Sequence, residues 1–95
     1  DIVHLEDRDL QKLLRNIPQD SLVIALKGAK NEFRDKIFKN MTTRAADMLR
    51  EDFDAKGPVR LSDIDHHQKV ILQIVRQMAD DGRISLLFDK KDYLV

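Results

Sequence analysis

The sequence has no cysteine and no tryptophan, and only 3 glycines and 2 prolines in 95 residues. Without cysteine there can be no disulfide bond, thiolate nucleophile or zinc site with cysteine ligands, so an intracellular setting is the simpler expectation. Long apolar runs are also missing. The longest, Leu22 to Leu26, is far shorter than the roughly 20 residues of a membrane helix, so the sequence predicts a protein that does not span a membrane.

The chain also has no excess of positive or negative charge, because 17 Lys and Arg balance 17 Asp and Glu. Nucleic-acid-binding proteins usually carry a basic excess on one face, so no nucleic-acid partner is expected. A helix-turn-helix protein, with the fifth predicted helix in the major groove, is the alternative. Acidic residues that would repel phosphate bracket that helix, which disfavours this alternative: Asp63, Asp65, Asp80 and Asp81.

Apolar residues recur three and four positions apart through most of the chain, which predicts an all-α fold. We expect one domain over residues 1–95, either a compact bundle of five helices or two stacked helical pairs, with 83–95 a less ordered tail that can begin as an extended segment. The predicted helices run from about Asp7 to Asn16, from just after Pro18 to Gly28, from Asn31 to Asn40, from Thr42 or Thr43 to Lys56, and from Ser62 to Asp80.

Local signals refine this prediction. The second helix is apolar on every side, so we expect it at the centre of the bundle. Gly28 is expected to end it in the left-handed conformation, and Gly57-Pro58 to end the fourth helix. Ser62 and Asp65 resemble a capping box at the start of the fifth.

Catalytic groups are few. The chain has three serines, three histidines and no glycine-rich phosphate loop, so we expect neither an enzyme nor a cofactor. Asp63, His66 and His67 form a weak metal-ligand pattern, because adjacent histidines on a helix point about 100° apart. An exposed polar helix start explains them better, and no metal site is predicted.

The fourth predicted helix combines an apolar face with charges along its margin. Helical spacing predicts an inward face with these members: Met41, Ala45, Met48, Leu49 and Phe53. Arg44 and Glu51 are seven positions apart and share one row at the border with solvent. Asp52 falls near the apolar arc, so we expect it at the rim of the core beside a cation, either Lys56 or Arg60.

These charges have two interpretations. A charged helix row is often only a solvated face, and a surface ion pair contributes about 0–1 kcal/mol. Charges on rigid helices and turns can also give a partner orientation and register. Lys27 also has an interpretation that needs no binding partner. A cation in the last turn of a helix interacts favourably with the helix dipole.

Three runs in this order carry a family resemblance: residues 25–29 (ALKGA), 40–46 (NMTTRAA) and 57–62 (GPVRLS). With their spacing, they closely resemble the C-terminal domain family of FliG, the rotor switch protein of the bacterial flagellar motor. The resemblance extends from Asp1 to about Gly82. It implies a compact, armadillo-like all-α subdomain of five to six helices within a longer rotor protein, in which the five predicted helices are joined by a shortened first turn at residues 1–5.

The resemblance also implies a function. The family's torque-associated positions match Lys27, Arg44, Glu51, Asp52 and Arg60, and Glu51 stands where the family more often has Asp. By this likeness the charged face engages the cytoplasmic loop of a MotA- or PomA-type stator and generates torque for motility and chemotaxis. Other implied partners are FliM-type switch proteins and neighbouring FliG subunits, at the cytoplasmic face of the inner membrane in the flagellar basal body. The alternative is a passive all-helical scaffold that binds through an apolar face.

Overall fold

The computed structural model describes residues 5–85, and over this range the chain forms five α-helices joined by short connections. They are α1 (Asp7–Arg15), α2 (Gln19–Lys27), α3 (Asn31–Lys39), α4 (Thr43–Lys56) and α5 (Leu61–Asp80). The all-α prediction is confirmed. The predicted turn at residues 1–5 falls outside the described residues except for Leu5, and the predicted tail does so from residue 86 onward.

α2 is the central element of the bundle. Leu22, Val23, Ala25 and Leu26 are all buried, and α2 packs most extensively against α5 and then against α4. A short helix with apolar residues all round needs such neighbours on several sides. The prediction of a central second helix is therefore confirmed.

Gly28 ends α2, but the predicted left-handed conformation is wrong, because its φ is −101° and its ψ is 6°. The glycine is needed for space. A Cβ at this position would lie 2.5 Å from Ile64 Cγ2 on α5, much closer than side-chain carbons approach one another. Ala25 and Ser21, one and two turns earlier on α2, are also small, and all three residues allow α5 to pack closely.

α4 begins at a capped end and buries a narrow face. Ala45 N donates to Thr42 Oγ1 over 3.1 Å, which makes Thr42 the capping residue. Ala46 and Leu49 are buried, whereas Met48 is 51% exposed, so its predicted inward position is wrong. Met48 is turned about 100° from Leu49 around the helix, on the side opposite to the buried Ala46.

α5 starts one residue earlier than predicted, and the predicted capping box is wrong. Arg60 precedes the helix without a side-chain cap, and its carbonyl accepts hydrogen bonds from the first turn. Ser62 and Asp65 therefore lie inside α5, which begins at Leu61. Asp65 instead forms an exposed ion pair with Lys69 over 2.9 Å.

The chain beyond α5 returns to α1. Ile84 is buried, Lys12 Nζ donates to Arg83 O over 3.3 Å, and Ser85 N donates to Asp9 Oδ2 over 3.0 Å. Residues 83–85 are thus packed and hydrogen-bonded, and they form no strand. This contact holds the end of the described chain on the outside of α1.

Candidate functional site

The outer side of α4 carries two charges of opposite sign in one row. Arg44 and Glu51 are exposed and point about 140–160° away from the buried Leu49. They are about 10 Å apart along the helix axis. Neither side chain forms a hydrogen bond or an ion pair with any residue between 5 and 85. The structure therefore places this pair together on one open face, with both charges available to a partner.

Asp52 lies beside this row on the edge of α4 that faces α2. It is exposed and accepts a hydrogen bond from Gln19 Nε2, at the first residue of α2. The predicted neighbouring cation, Lys56 or Arg60, is wrong, because the observed partner is a neutral amide. The positive end of the α2 dipole lies close by, which favours a carboxylate here. Gln19 therefore orients Asp52 without neutralising its charge.

Arg60 follows the turn that links α4 to α5. Gly57 begins this turn with φ 68° and ψ −163°, a backbone conformation that is essentially restricted to glycine. The Arg60 side chain is exposed and has no hydrogen bond or ion pair in the described part of the chain. A rigid turn thus carries a third unpaired charge, placed directly before an exposed Leu61.

Lys27 differs from the other predicted residues because its charge is already engaged. Its Nζ donates to Phe53 O over 2.7 Å and lies 3.9 Å from the centroid of the Phe53 ring. The acceptor is a carbonyl of the last turn of α4, where a cation also compensates the helix dipole. Lys27 is partly buried and ties the end of α2 to the end of α4.

Arg34 on α3 completes this junction. Arg34 Nε donates to Leu26 O over 2.9 Å, Arg34 Nη2 donates to Lys27 O over 3.3 Å, and the guanidinium lies 5.1 Å from the Phe53 ring centroid. Two cations thus contact one aromatic ring, and three helices meet at it. The contacts of Phe53 with Lys27 and Arg34 could not be predicted from the sequence, because no local pattern pairs an aromatic residue with distant cations.

Comparison with known proteins identifies the family to which this arrangement belongs. The sequence model of the FliG C-terminal domain matches residues 1–86. The chain belongs to the FliG C-terminal domain family. The match includes all five predicted site residues and Arg34.

Full-length relatives of this FliG C-terminal domain support the assignment. The chain is 52% identical over 85 residues to the flagellar motor switch protein FliG of Vibrio cholerae, which covers 90% of this chain and 24% of that protein. It is 44% identical over 84 residues to FliG of Thermotoga maritima, covering 88% and 25%. The chain therefore spans about a quarter of the length of these curated relatives.

Solved structures agree with the family assignment. Full-length FliG from Aquifex aeolicus superposes with a TM-score of 0.83 at 40% identity, over 86% of this chain and 26% of that one. A FliG fragment from H. pylori gives a TM-score of 0.87 at 30% identity, over 90% of this chain and 37% of the fragment. The fold predicted from the resemblance is confirmed.

His67 contacts α2 and His66, and neither histidine belongs to a cluster of metal-ligating side chains within residues 5–85. His67 Nδ1 lies 3.0 Å from Ser21 Oγ, and the His66 and His67 rings meet edge to face at 5.1 Å. Residues 5–85 contain no group of three His, Cys, Asp or Glu side chains that could hold a metal ion. His67 thus has a structural partner on α2. No helix in the same range combines the length and apolar character needed to cross a bilayer.

Proposed function

We propose that this domain is the rotor-side contact of a bacterial flagellar motor, engaging the cytoplasmic loop of a MotA- or PomA-type stator at the cytoplasmic face of the inner membrane. The carrying observation is that Arg44 and Glu51, two exposed charges of opposite sign, form no ion pair within residues 5–85 and lie on a helix whose other side is anchored in the core. Membership of the FliG C-terminal domain family supports a rotor role. In the longer protein, FliM-type switch proteins and neighbouring FliG subunits would receive the force.

Each charged residue has a proposed role. Arg44 and Arg60 meet carboxylates of the stator loop, while Glu51 and Asp52 meet its cations. The bond from Gln19 supports this role for Asp52, because a neutral amide orients the carboxylate and leaves its charge uncompensated. Lys27 positions α4 against α2, since its ammonium group is already bonded to Phe53 O.

Exposed charges suit a contact that must form and break repeatedly. A surface ion pair contributes only about 0–1 kcal/mol, and screening confines its attraction to about 8 Å at physiological ionic strength. Several such pairs at fixed positions give a partner register and orientation and still release it quickly. The proposed work is mechanical and involves no covalent step.

Exchanging the two charges tests this proposal. The double variant Arg44→Glu with Glu51→Arg keeps the net charge and should weaken binding to a synthetic stator-loop peptide at least about tenfold at low salt, because like charges then face each other. Circular dichroism should show unchanged helicity. Exchange of the exposed α5 ion pair, Asp65→Lys with Lys69→Asp, is the matched control and should leave the Kd unchanged. Normal peptide binding by the α4 variant contradicts the proposal.

A passive helical scaffold is the second candidate, and an apolar groove favours it. The groove, about 480 Å³ in volume, lies between α1, α2, α3 and α5, with Leu14, Phe33 and Leu72 among its lining residues. The salt dependence of peptide binding distinguishes the two candidate functions. Binding that weakens markedly with added salt supports the charged face of α4, whereas a Kd indifferent to salt supports the groove.

A further inference from the structure

Exposed apolar side chains accompany the unpaired charges of the proposed contact. Between residues 5 and 85, the large hydrophobic residues with exposed side chains are Met48 (51%), Leu61 (83%) and Leu72 (49%). Met48 lies between Arg44 and Glu51 on α4, and Leu61 directly follows Arg60. Two of these three residues therefore sit beside the charges assigned to the stator contact.

The spacing on α4 places the apolar group in line with the charges. Arg44, Met48 and Glu51 occupy positions i, i+4 and i+7, which form one stripe along a helix. The stripe thus presents a cation, an apolar side chain and an anion in succession. Helices pack by fitting such rows into the grooves of a neighbour, so a row with this order complements a helix of the reverse charge order.

Met48 suits a contact that is made repeatedly with slightly different geometry. Its unbranched, polarisable side chain adapts to irregular surfaces, and methionine is common at adaptable binding surfaces. An apolar side chain in the middle of a polar rim also excludes water from the neighbouring ion pairs. A contact with only two such side chains is small enough to remain reversible.

We propose that Met48 and Leu61 are apolar anchors of the stator contact. The segment that binds to them is an amphipathic helix of the stator's cytoplasmic loop. That helix carries a carboxylate, an apolar side chain and a cation at spacings matching Arg44, Met48 and Glu51. This inference rests on the proposed function and adds that the contact surface contains apolar side chains as well as charges. Charge complementarity with Arg44 and Glu51 is the reason for proposing a helix with this order of side chains as the binding partner.

Substitution of each apolar residue by glutamine tests the inference. Met48→Gln and Leu61→Gln in the full 95-residue chain should each weaken binding of a synthetic stator-loop peptide about 3–10-fold, as expected for loss of a partly buried apolar contact. This loss should persist at high salt, because apolar burial is not screened. Met48→Leu should restore binding close to that of the parent.

Leu72→Gln distinguishes this contact from the groove of the second candidate, since Leu72 has nearly the same exposure as Met48 but lines that groove from α5. Peptide binding through α4 predicts an unchanged Kd for this variant. Equal Kd values for the parent, Met48→Gln and Leu61→Gln, or equal weakening by Leu72→Gln, overturn the inference. The proposed function fails separately, when exchange of Arg44 and Glu51 leaves peptide binding unchanged.

Discussion

Lys27 and Arg44 carry the same charge and match the same set of family positions, yet the fold places them in opposite environments. Lys27 is partly buried and bonded to Phe53 O, whereas Arg44 is exposed and unpaired within residues 5–85. The first lies in the junction of α2 with α4, and the second lies on the outer side of α4. A charge that is bonded within the domain can orient a helix. An exposed charge without such a bond remains available to a moving partner.

The largest effect is expected where α2 is tightly packed. Gly28→Ala should lower the free energy of unfolding by about 1–3 kcal/mol, because the new Cβ would overlap Ile64 Cγ2. Thermal or urea denaturation measures the loss. Ile64→Ala should partly relieve it in the double variant, which gives a favourable coupling energy. Strictly additive losses contradict the packing explanation.

Removing the ammonium group of Lys27 should have an intermediate effect on stability. Lys27→Met keeps most of the aliphatic chain but loses the bond to Phe53 O and the contact with the ring, which together contribute about 1–2 kcal/mol. Urea denaturation measures this loss. Lys56→Met, at an exposed lysine in the last turn of α4, is the control and should change stability by less than about 0.5 kcal/mol. Equal effects of the two substitutions refute a positioning role for Lys27.

The smallest effects on stability are expected at Asp52, where orientation and charge can be separated. Asp52→Asn retains an oxygen that can accept from Gln19 Nε2, so the free energy of unfolding should change by less than about 1 kcal/mol. Binding to the stator-loop peptide should nevertheless weaken several-fold, because the charge is lost.

Gln19→Ala provides the complementary variant. It keeps the Asp52 charge and removes its orienting bond, so it should weaken peptide binding by only about twofold to threefold, consistent with one neutral hydrogen bond at the surface. If Gln19→Ala weakens binding more than Asp52→Asn does, orientation outweighs charge and the role proposed for Asp52 is wrong.

The helices could be predicted well because their signals are local. Each predicted bound lies within one residue of the observed bound, since Pro18, Gly57 and the apolar spacing act on their own neighbours. The same local reasoning failed for Met48, because the neighbouring helix decides which part of an apolar arc is buried, and here it is the side of Ala46. It also failed for the start of α5, because Arg60 precedes the helix without the side-chain cap predicted at Ser62.

The partners of the charged side chains could not be predicted, because they come from distant parts of the chain. Gln19 and Asp52 are 33 residues apart, and Lys27 and Phe53 are 26 apart. No spacing rule links such positions. The sequence predicted a cation beside Asp52, but the fold places the neutral amide of Gln19 on α2 there.

Sequence alone determined the all-helical architecture, the central place of α2 and the alignment of Arg44 with Glu51, because helical periodicity and apolar burial act over a few residues. Tertiary structure alone decided that Lys27 is tied to α4, that Gly28 serves close packing, and that Met48 stays exposed beside the free charges. These outcomes depend on how closely α2, α4 and α5 approach one another, and only the packed core sets those distances.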